Sequence, residues 1–412
     1  MKRALTVVLF LLLAATARAD DDFFLKDKDT VVFFGDSITA QRLYTTYVET
    51  YVVTRRPDLD VRFVHSGWGG DTVRGGAGGP IDKRLERDVI AYKPTVVTIM
   101  LGMNDGQYRP LDEKIFDTYK KGMEHIVLTL KAKLPGVRLV LIEPSPHDDV
   151  TRKPAFENGY NSVLVKYGEF VRELAKKEGC TSVDLNAPVV QCLEKANGEN
   201  AALAQEIIRD RVHPGPAGHL VMAKALLEAW KAPTLISDVT IDAAANKVTK
   251  TENATVAEVD SLTWTQTDKV LPLPLDTRDH VVALALHASG LFEALDRELL
   301  TVTGLTAERY ELSIDDVKVG VFPKDRLEKG LNLARFPTPM RHQALEVHAL
   351  TKRRVDLLDM RWHQLVVGFE GKESAALTKA LDGLTGLADE LRDEQRAAAK
   401  PKAHKFKLVP VN

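Results

Sequence analysis

Three short stretches of this sequence carry residues that can work together, although they lie far apart in the chain. Ser37 stands in "FFGDSIT" (33–39), Asn104 in "GMND" (102–105), and Asp210 and His213 in "DRVHP" (210–214). A serine hydroxyl is a weak nucleophile at neutral pH and needs an adjacent base. His213 can be that base, and Asp210, on the same short stretch, can fix its tautomer and hold the imidazolium that forms. A developing oxyanion needs donors already in place. The candidates are the backbone N–H of Ser37, the backbone N–H of Gly67 and the side-chain amide of Asn104. Together these are the parts of acyl transfer. Each also has a plainer reading. Ser37 can be a helix N-cap, Asn104 and Asp105 a turn pair, Gly67 a turn glycine, and His213 a surface loop residue. What favours one site is that all of them fall at the same edge of the sheet predicted next.

Strand and helix patterns alternate through the first half of the chain. "TVVFF" (30–34), "VRFVHSG" (61–67), "PTVVTIMLG" (94–102), "VRLVLIEPSP" (137–146) and "CTSVDLN" (180–186) read as strands. Helical spacing lies between them at 44–53, 113–134 and 156–178, and again at 218–230. Such alternation implies βαβ units, and strands apolar on both faces imply a parallel sheet covered by helices. Residues 20–232 are therefore expected to form one doubly wound α/β domain. In such sheets ligands bind outside the carboxyl ends of the strands, where the four groups above sit.

The rest of the chain divides differently. Residues 233–324 carry short alternating segments such as "DVTID", "LLTVTGL" and "RYELSID", read as antiparallel strands, with "SIDDVKVGVF" a hairpin turning at Asp315-Asp316. Residues 325–412 carry two long helical patterns, 343–369 and 373–399, and a basic, extended tail. At the other end, Lys2 and Arg3, an apolar run from Ala4 to about Ala15 and "ARA" (17–19) have the pattern of a signal peptide cut after Ala19. The run is shorter than the ~20 residues of a membrane-spanning helix. Residues 1–19 are thus expected to be removed on export to the periplasm or the exterior, leaving a chain with no integral membrane contact. A net charge of −2 gives no sign of a nucleic-acid partner. Cys180 and Cys192 are too few for a disulfide framework; export permits them to pair, and two buried thiols is the plainer alternative.

With these residues in view, the chain resembles the SGNH hydrolases, also called the GDSL family. The blocks are "FFGDSIT" with Ser37, "HSGWGGDT" (65–72) with Gly67, "GMND" with Asn104 and "DRVHP" with Asp210 and His213, in family order over residues 30–230. His65 departs from the asparagine that members often carry two positions before the glycine. The resemblance implies a flavodoxin-like three-layer sandwich with strand order 2-1-3-4-5. It also implies ester hydrolysis through an acyl-enzyme with no metal or organic cofactor.

Other signals rank lower. The glycine-rich stretch 67–79 lacks G-x-x-x-x-G-K-[ST]; it reads as a loop over the site, with Arg74 near substrate. "HDD" (147–149) reads as a substrate-side loop rather than a metal site, because three adjacent residues do not readily face one ion. Arg74, Arg109 and His147, with Gln107 and Asp148, are the expected substrate contacts. The expected activity is that of an exported serine esterase acting on a small-molecule or polysaccharide ester, foremost a carbohydrate O-acetyl ester. A lysophospholipase or short-chain lipid esterase is the alternative, and a carbohydrate-binding protein on a hydrolase scaffold the more distant one.

Overall fold

The computed structural model describes residues 22–260 and 262–411. The expected signal peptide lies outside them. Five parallel strands form the central sheet: β1 (Thr30–Gly35), β2 (Arg62–Gly67), β3 (Val96–Met100), β4 (Arg138–Ile142) and β5 (Thr181–Val183). Their order is β2-β1-β3-β4-β5, as the family resemblance implied. Val31, Val32, Phe33 and Phe34 of β1 are all fully buried, so both faces of the strand are covered. That is why its sequence runs apolar without alternation. The helices are α1 (Ser37–Ala40), α2 (Leu43–Arg55), α3 (Ile81–Asp88), α4 (Glu113–Lys133), α5 (Gly159–Glu178), α6 (Asn186–Glu199), α7 (Ala201–Ile207) and α8 (Pro216–Ala229). α2 packs with α8, and α3 and α5 pack with α4.

The second half builds two further sheets. The first contains β6 (Leu235–Asp242), β7 (Lys247–Glu252), β10 (Arg297–Thr303) and β13 (Leu331–Asn332), in the order β13-β10-β6-β7. The second contains β8 (Ala254–Asp260), β9 (Thr263–Asp268), β11 (Arg309–Ile314), β12 (Val317–Pro323) and β14 (His404–Pro410), in the order β8-β9-β14-β11-β12. One pairing differs from expectation: β6 and β10 run parallel. The reason lies between them, where α9 (His280–Ser289) and α10 (Leu291–Leu295) supply the long connection that parallel strands need. The β11–β12 hairpin turns at Asp315 and Asp316, both at positive φ, as a tight hairpin turn requires. The basic tail is extended because it is β14, inserted between β9 and β11.

α11 (Lys324–Lys329) leads to α12 (Pro339–Met360), a π-helical segment (Arg361–Val367) and α13 (Ala375–Ala398). α12 packs on both α13 and α2. This explains the unusual composition of α2, which has sheet and α8 on one side and α12 on the other. Its Thr50 and Thr54 hydroxyls donate to carbonyls one turn back, at 2.8 Å each. Its buried Glu49 accepts from Arg354 of α12 at 2.7 Å, and its other carboxylate oxygen lies 3.2 Å from Nε2 of His65. His65, the departure from family pattern, is thus a brace between β2 and α2. Cys180 and Cys192 are both free thiols. Among the described residues no helix is long and apolar enough to cross a membrane.

Candidate active site

Ser37 follows β1 directly and opens α1. Asp36 caps this short helix, accepting from the Ile38 N–H at 3.0 Å. The carboxyl is spent on the turn, and burial raises its pKa to about 7. Ser37 is left half-buried at the carboxyl end of the sheet. The base arrives from the opposite end of the domain. His213 Nε2 lies 2.8 Å from Ser37 Oγ, and His213 Nδ1 lies 2.7 Å from Asp210 Oδ2. Asp210 Oδ1 also accepts the backbone N–H groups of Val212 and His213, at 3.0 and 2.7 Å. One carboxylate therefore shapes the turn and orients the imidazole. Burial works to raise the Asp210 pKa, but the His213 N–H, the imidazole and the Val212 N–H outweigh it, and the net shift is downward.

Asn104 lies on the loop after β3. Its Nδ2 donates to the carbonyl of Asp71 at 2.9 Å, and its Oδ1 accepts from the Tyr108 hydroxyl at 3.1 Å. The carboxamide is held at both ends, with one N–H of Nδ2 beyond the Asp71 bond. Gly67 is placed differently from expectation. Trp68 donates to Gly35 O at 2.9 Å, and amides alternate between the two edges of a strand. The Gly67 N–H therefore points away from β1, toward the open edge of the sheet. Glycine is needed here for close approach, because a Cβ would lie 2.2 Å from the Ala40 nitrogen. Gly70 (φ +77°) has open space where a Cβ would stand, and it precedes the Asp71 that holds Asn104. Gly70 is thus the glycine next to the residue that anchors Asn104. Gly67, Gly69 and Gly70 look alike in one short block; strand pairing sets Gly67 apart from the other two.

The other expected contacts fall in three places. Arg74 and Gln107 line, with Thr72, Asn104 and Lys114, a recess of about 270 Å³ beside Asn104. Arg109 is exposed on the same loop and outside that recess. His147 is half-buried, with Nδ1 3.1 Å from Asp149 Oδ1, and burial lowers its pKa despite that carboxylate. Its ring packs edge-on against Tyr160 at 5.6 Å. Asp148 caps its own turn, accepting from the N–H groups of Val150 and Thr151 at 3.1 and 2.9 Å, and pairs with Arg152 at 3.0 Å. Asp149 binds Arg211 at 2.6 Å. "HDD" is thus a strut that fixes the loop bearing Asp210 and His213. Among the described residues no group of three or more His, Cys, Asp or Glu is placed to hold a metal ion.

Tyr108 was not singled out from sequence. It and Gln107 both sit at φ +56°, a conformation ordinary side chains seldom adopt and one found where a loop is held for a purpose. Two consecutive non-glycine left-handed residues leave no mark in composition, so only the backbone reveals them.

A parallel α/β sandwich with a serine, an imidazole and a carboxylate in hydrogen-bonded line at its strand ends has the form of an ester hydrolase. Residues 33–221 match the GDSL-like lipase/acylhydrolase family, and the chain belongs to it. It is 33% identical over 224 residues to an acetylxylan esterase of Geobacillus stearothermophilus, covering 48% of this chain and 92% of that one. It is 26% identical over 229 residues to a GDSL esterase/lipase of Arabidopsis thaliana, covering 49% of this chain and 87% of that one. Among solved structures, a gut microbial diltiazem-metabolizing enzyme superposes with a TM-score of 0.82 at 26% identity, covering 94% of this chain and 98% of that one. The first two matches take in the α/β half, whereas the third extends over both halves. The protein is a carboxylic ester hydrolase.

Proposed function

We propose that this chain is an exported serine esterase that removes acetyl groups from carbohydrate esters through an acyl-enzyme. The observation that carries the mechanism is the line Asp210–His213–Ser37, with contacts of 2.7 and 2.8 Å. Ser37 Oγ attacks the ester carbonyl while His213 Nε2 takes its proton. The oxyanion meets Asn104 Nδ2, the Ser37 N–H and the amide of the Gly70 segment. Collapse breaks the bond to the alcohol, which leaves with the proton from Nε2. A water then attacks the acyl-serine, giving its proton to His213, and acetate departs as Ser37 is protonated again.

Support for an acetyl ester of a sugar comes from the acetylxylan esterase relative and from the polar recess that Arg74 and Gln107 share with Asn104. The charged n-region, apolar run and "ARA" pattern support export. The test is a hydrolysis panel of acetylated xylo-oligosaccharides against 4-nitrophenyl esters of rising chain length. The protein is collected outside the cytoplasm, its N-terminus is sequenced, and Ser37→Ala serves as control. Acetyl sugars should be preferred, the N-terminus should begin at Asp20, and folded Ser37→Ala should lose nearly all turnover. A preference rising with chain length would move the substrate to lipid esters. Near-normal turnover by Ser37→Ala would sink the mechanism.

A further inference from the structure

The C-terminal helices have no role in the mechanism above, yet a continuous buried chain of bonds runs from them to Asn104. We infer that Trp362 positions the oxyanion donor from a distance, through Asp88, Arg84 and Asp71. The inference rests on the esterase reading and deepens it by giving residues 325–412 a part in catalysis.

Each link is a direct contact. The Trp362 indole Nε1 donates to Asp88 Oδ1 at 2.7 Å. Arg84 binds the other Asp88 oxygen through Nη1, and its Nε donates to Asp71 Oδ2 at 2.7 Å. The carbonyl of Asp71 then accepts from Asn104 Nδ2 at 2.9 Å. Two further bonds tie the array to the end of β2: Arg84 Nη2 to Ser66 O at 2.9 Å, and Ser66 Oγ to Asp88 O at 2.7 Å. Arg84, Asp71 and Asp88 are all 0% exposed. The guanidinium lies among the rings of Phe34, Trp68 and Trp362, at 4.9, 5.5 and 5.6 Å.

Burying these charges is costly, and a buried ion pair is a weak source of stability compared with apolar packing of the same volume. What the array supplies is geometry. A guanidinium offers donors in a rigid planar fork, so fixing Asp88 fixes where Arg84 holds Asp71. Asp71 in turn sets the rotation of the Asn104 carboxamide. The π-helical segment places Trp362 for this task. Its wide turn brings the indole N–H to Asp88 while His363 packs against Trp68 at 4.7 Å. Such wide turns recur at functional sites.

The test uses the full-length enzyme and 4-nitrophenyl acetate. Trp362→Phe keeps a ring and removes the N–H. It should lower kcat about 10-fold with KM changed less than about twofold, because small displacements of catalytic groups act on the transition state. In an Asn104→Ala background the same substitution should cost nothing more, since its effect travels through Asn104. If Trp362→Phe does not fold, Asp88→Asn is read in the same two backgrounds; it keeps shape and an acceptor for Nε1 but loses the charge that Arg84 and Arg87 bind. Equal losses in both backgrounds overturn the inference, as does an unchanged kcat in the folded single variant. An Asn104→Ala enzyme with wild-type kcat overturns it as well, yet leaves Ser37 as nucleophile. Only normal turnover by Ser37→Ala removes the underlying mechanism.

Discussion

Asp210, the proposed orienting acid, has a side chain that is 56% exposed. Its pKa nonetheless lies below the ordinary carboxylate range, because the His213 N–H, the imidazole and the Val212 N–H together outweigh the effect of burial. It is therefore ionised from weakly acidic pH upward, and its own titration does not limit the rate there. We expect kcat/KM to rise with a one-proton slope and then plateau. Asp210→Asn should lower the rate by about 10²–10⁴ at every pH, because an amide can neither fix the tautomer nor stabilise the imidazolium. Paired pH–rate profiles on one soluble acetyl ester check this, and an unchanged plateau would exclude Asp210 as the orienting acid. The meeting of Ser37, His213 and Asp210 was legible in sequence because each type has few alternative uses in that spacing. Gly70 and Tyr108 were not, since their importance lies in backbone direction and conformation.

At the scale of elements, the two sheets of the second half meet over a buried acid pair. Glu298 of β10 is 0% exposed and Asp268 of β9 is 5% exposed. Asp296, Ser237 of β6 and Gln266 of β9 lie in the same cluster, with the Arg55 guanidinium of α2 and the His404 imidazole of β14 facing it. Burial first, then the Asp268 and Asp296 charges, hold the Glu298 pKa well above its ordinary value. In the unfolded chain Glu298 ionises from about pH 4.3 upward. The folded protein keeps the proton longer, so stability falls as pH rises from that point toward the folded pKa. Glu298→Gln removes this penalty, because the neutral amide carries no charge to desolvate. It should raise stability at neutral pH, with the gain vanishing near pH 4. Thermal melts of both proteins from pH 4 to 8 measure it; a gain independent of pH would contradict the raised pKa of Glu298. The hairpin at Asp315-Asp316 was readable because its turn demands local conformations. The parallel pairing of β6 with β10 was not, because it depends on where the intervening helices dock.

At the scale of the molecule, the two halves share one core. Leu273, Leu275, Val282, Leu286, Leu291 and Phe292 belong to the same buried cluster as β1, β3 and α8. Arg55 of α2 donates to Leu295 O at 2.8 Å and to Pro233 O at 3.0 Å. A chain ending at residue 232 would expose this surface, although the acetylxylan esterase is matched over 92% of its length by the corresponding half. Exposed apolar patches of that kind drive association. The fragment is expected to be insoluble, or to bind an apolar dye strongly and melt without a cooperative transition. A soluble, cooperatively folding, active fragment would show that the halves are separable.

By itself, the sequence determined the α/β sandwich, its strand order through the family blocks, and the serine, histidine and aspartate at its edge. Those features follow from local periodicity, from turn chemistry and from residue types with few other uses. The tertiary structure decided which residue anchors Asn104, how His65 braces β2 against α2, and how Trp362 connects to Asp71. It also showed that Asp148 and Asp149 of "HDD" brace the loop that bears Asp210 and His213. Each of these depends on which side chains meet across long sequence separations, Glu49 with Arg354 or Asp88 with Trp362. Such meetings leave no periodic trace, because they are set by how helices dock on a sheet and not by the order of residues along either one.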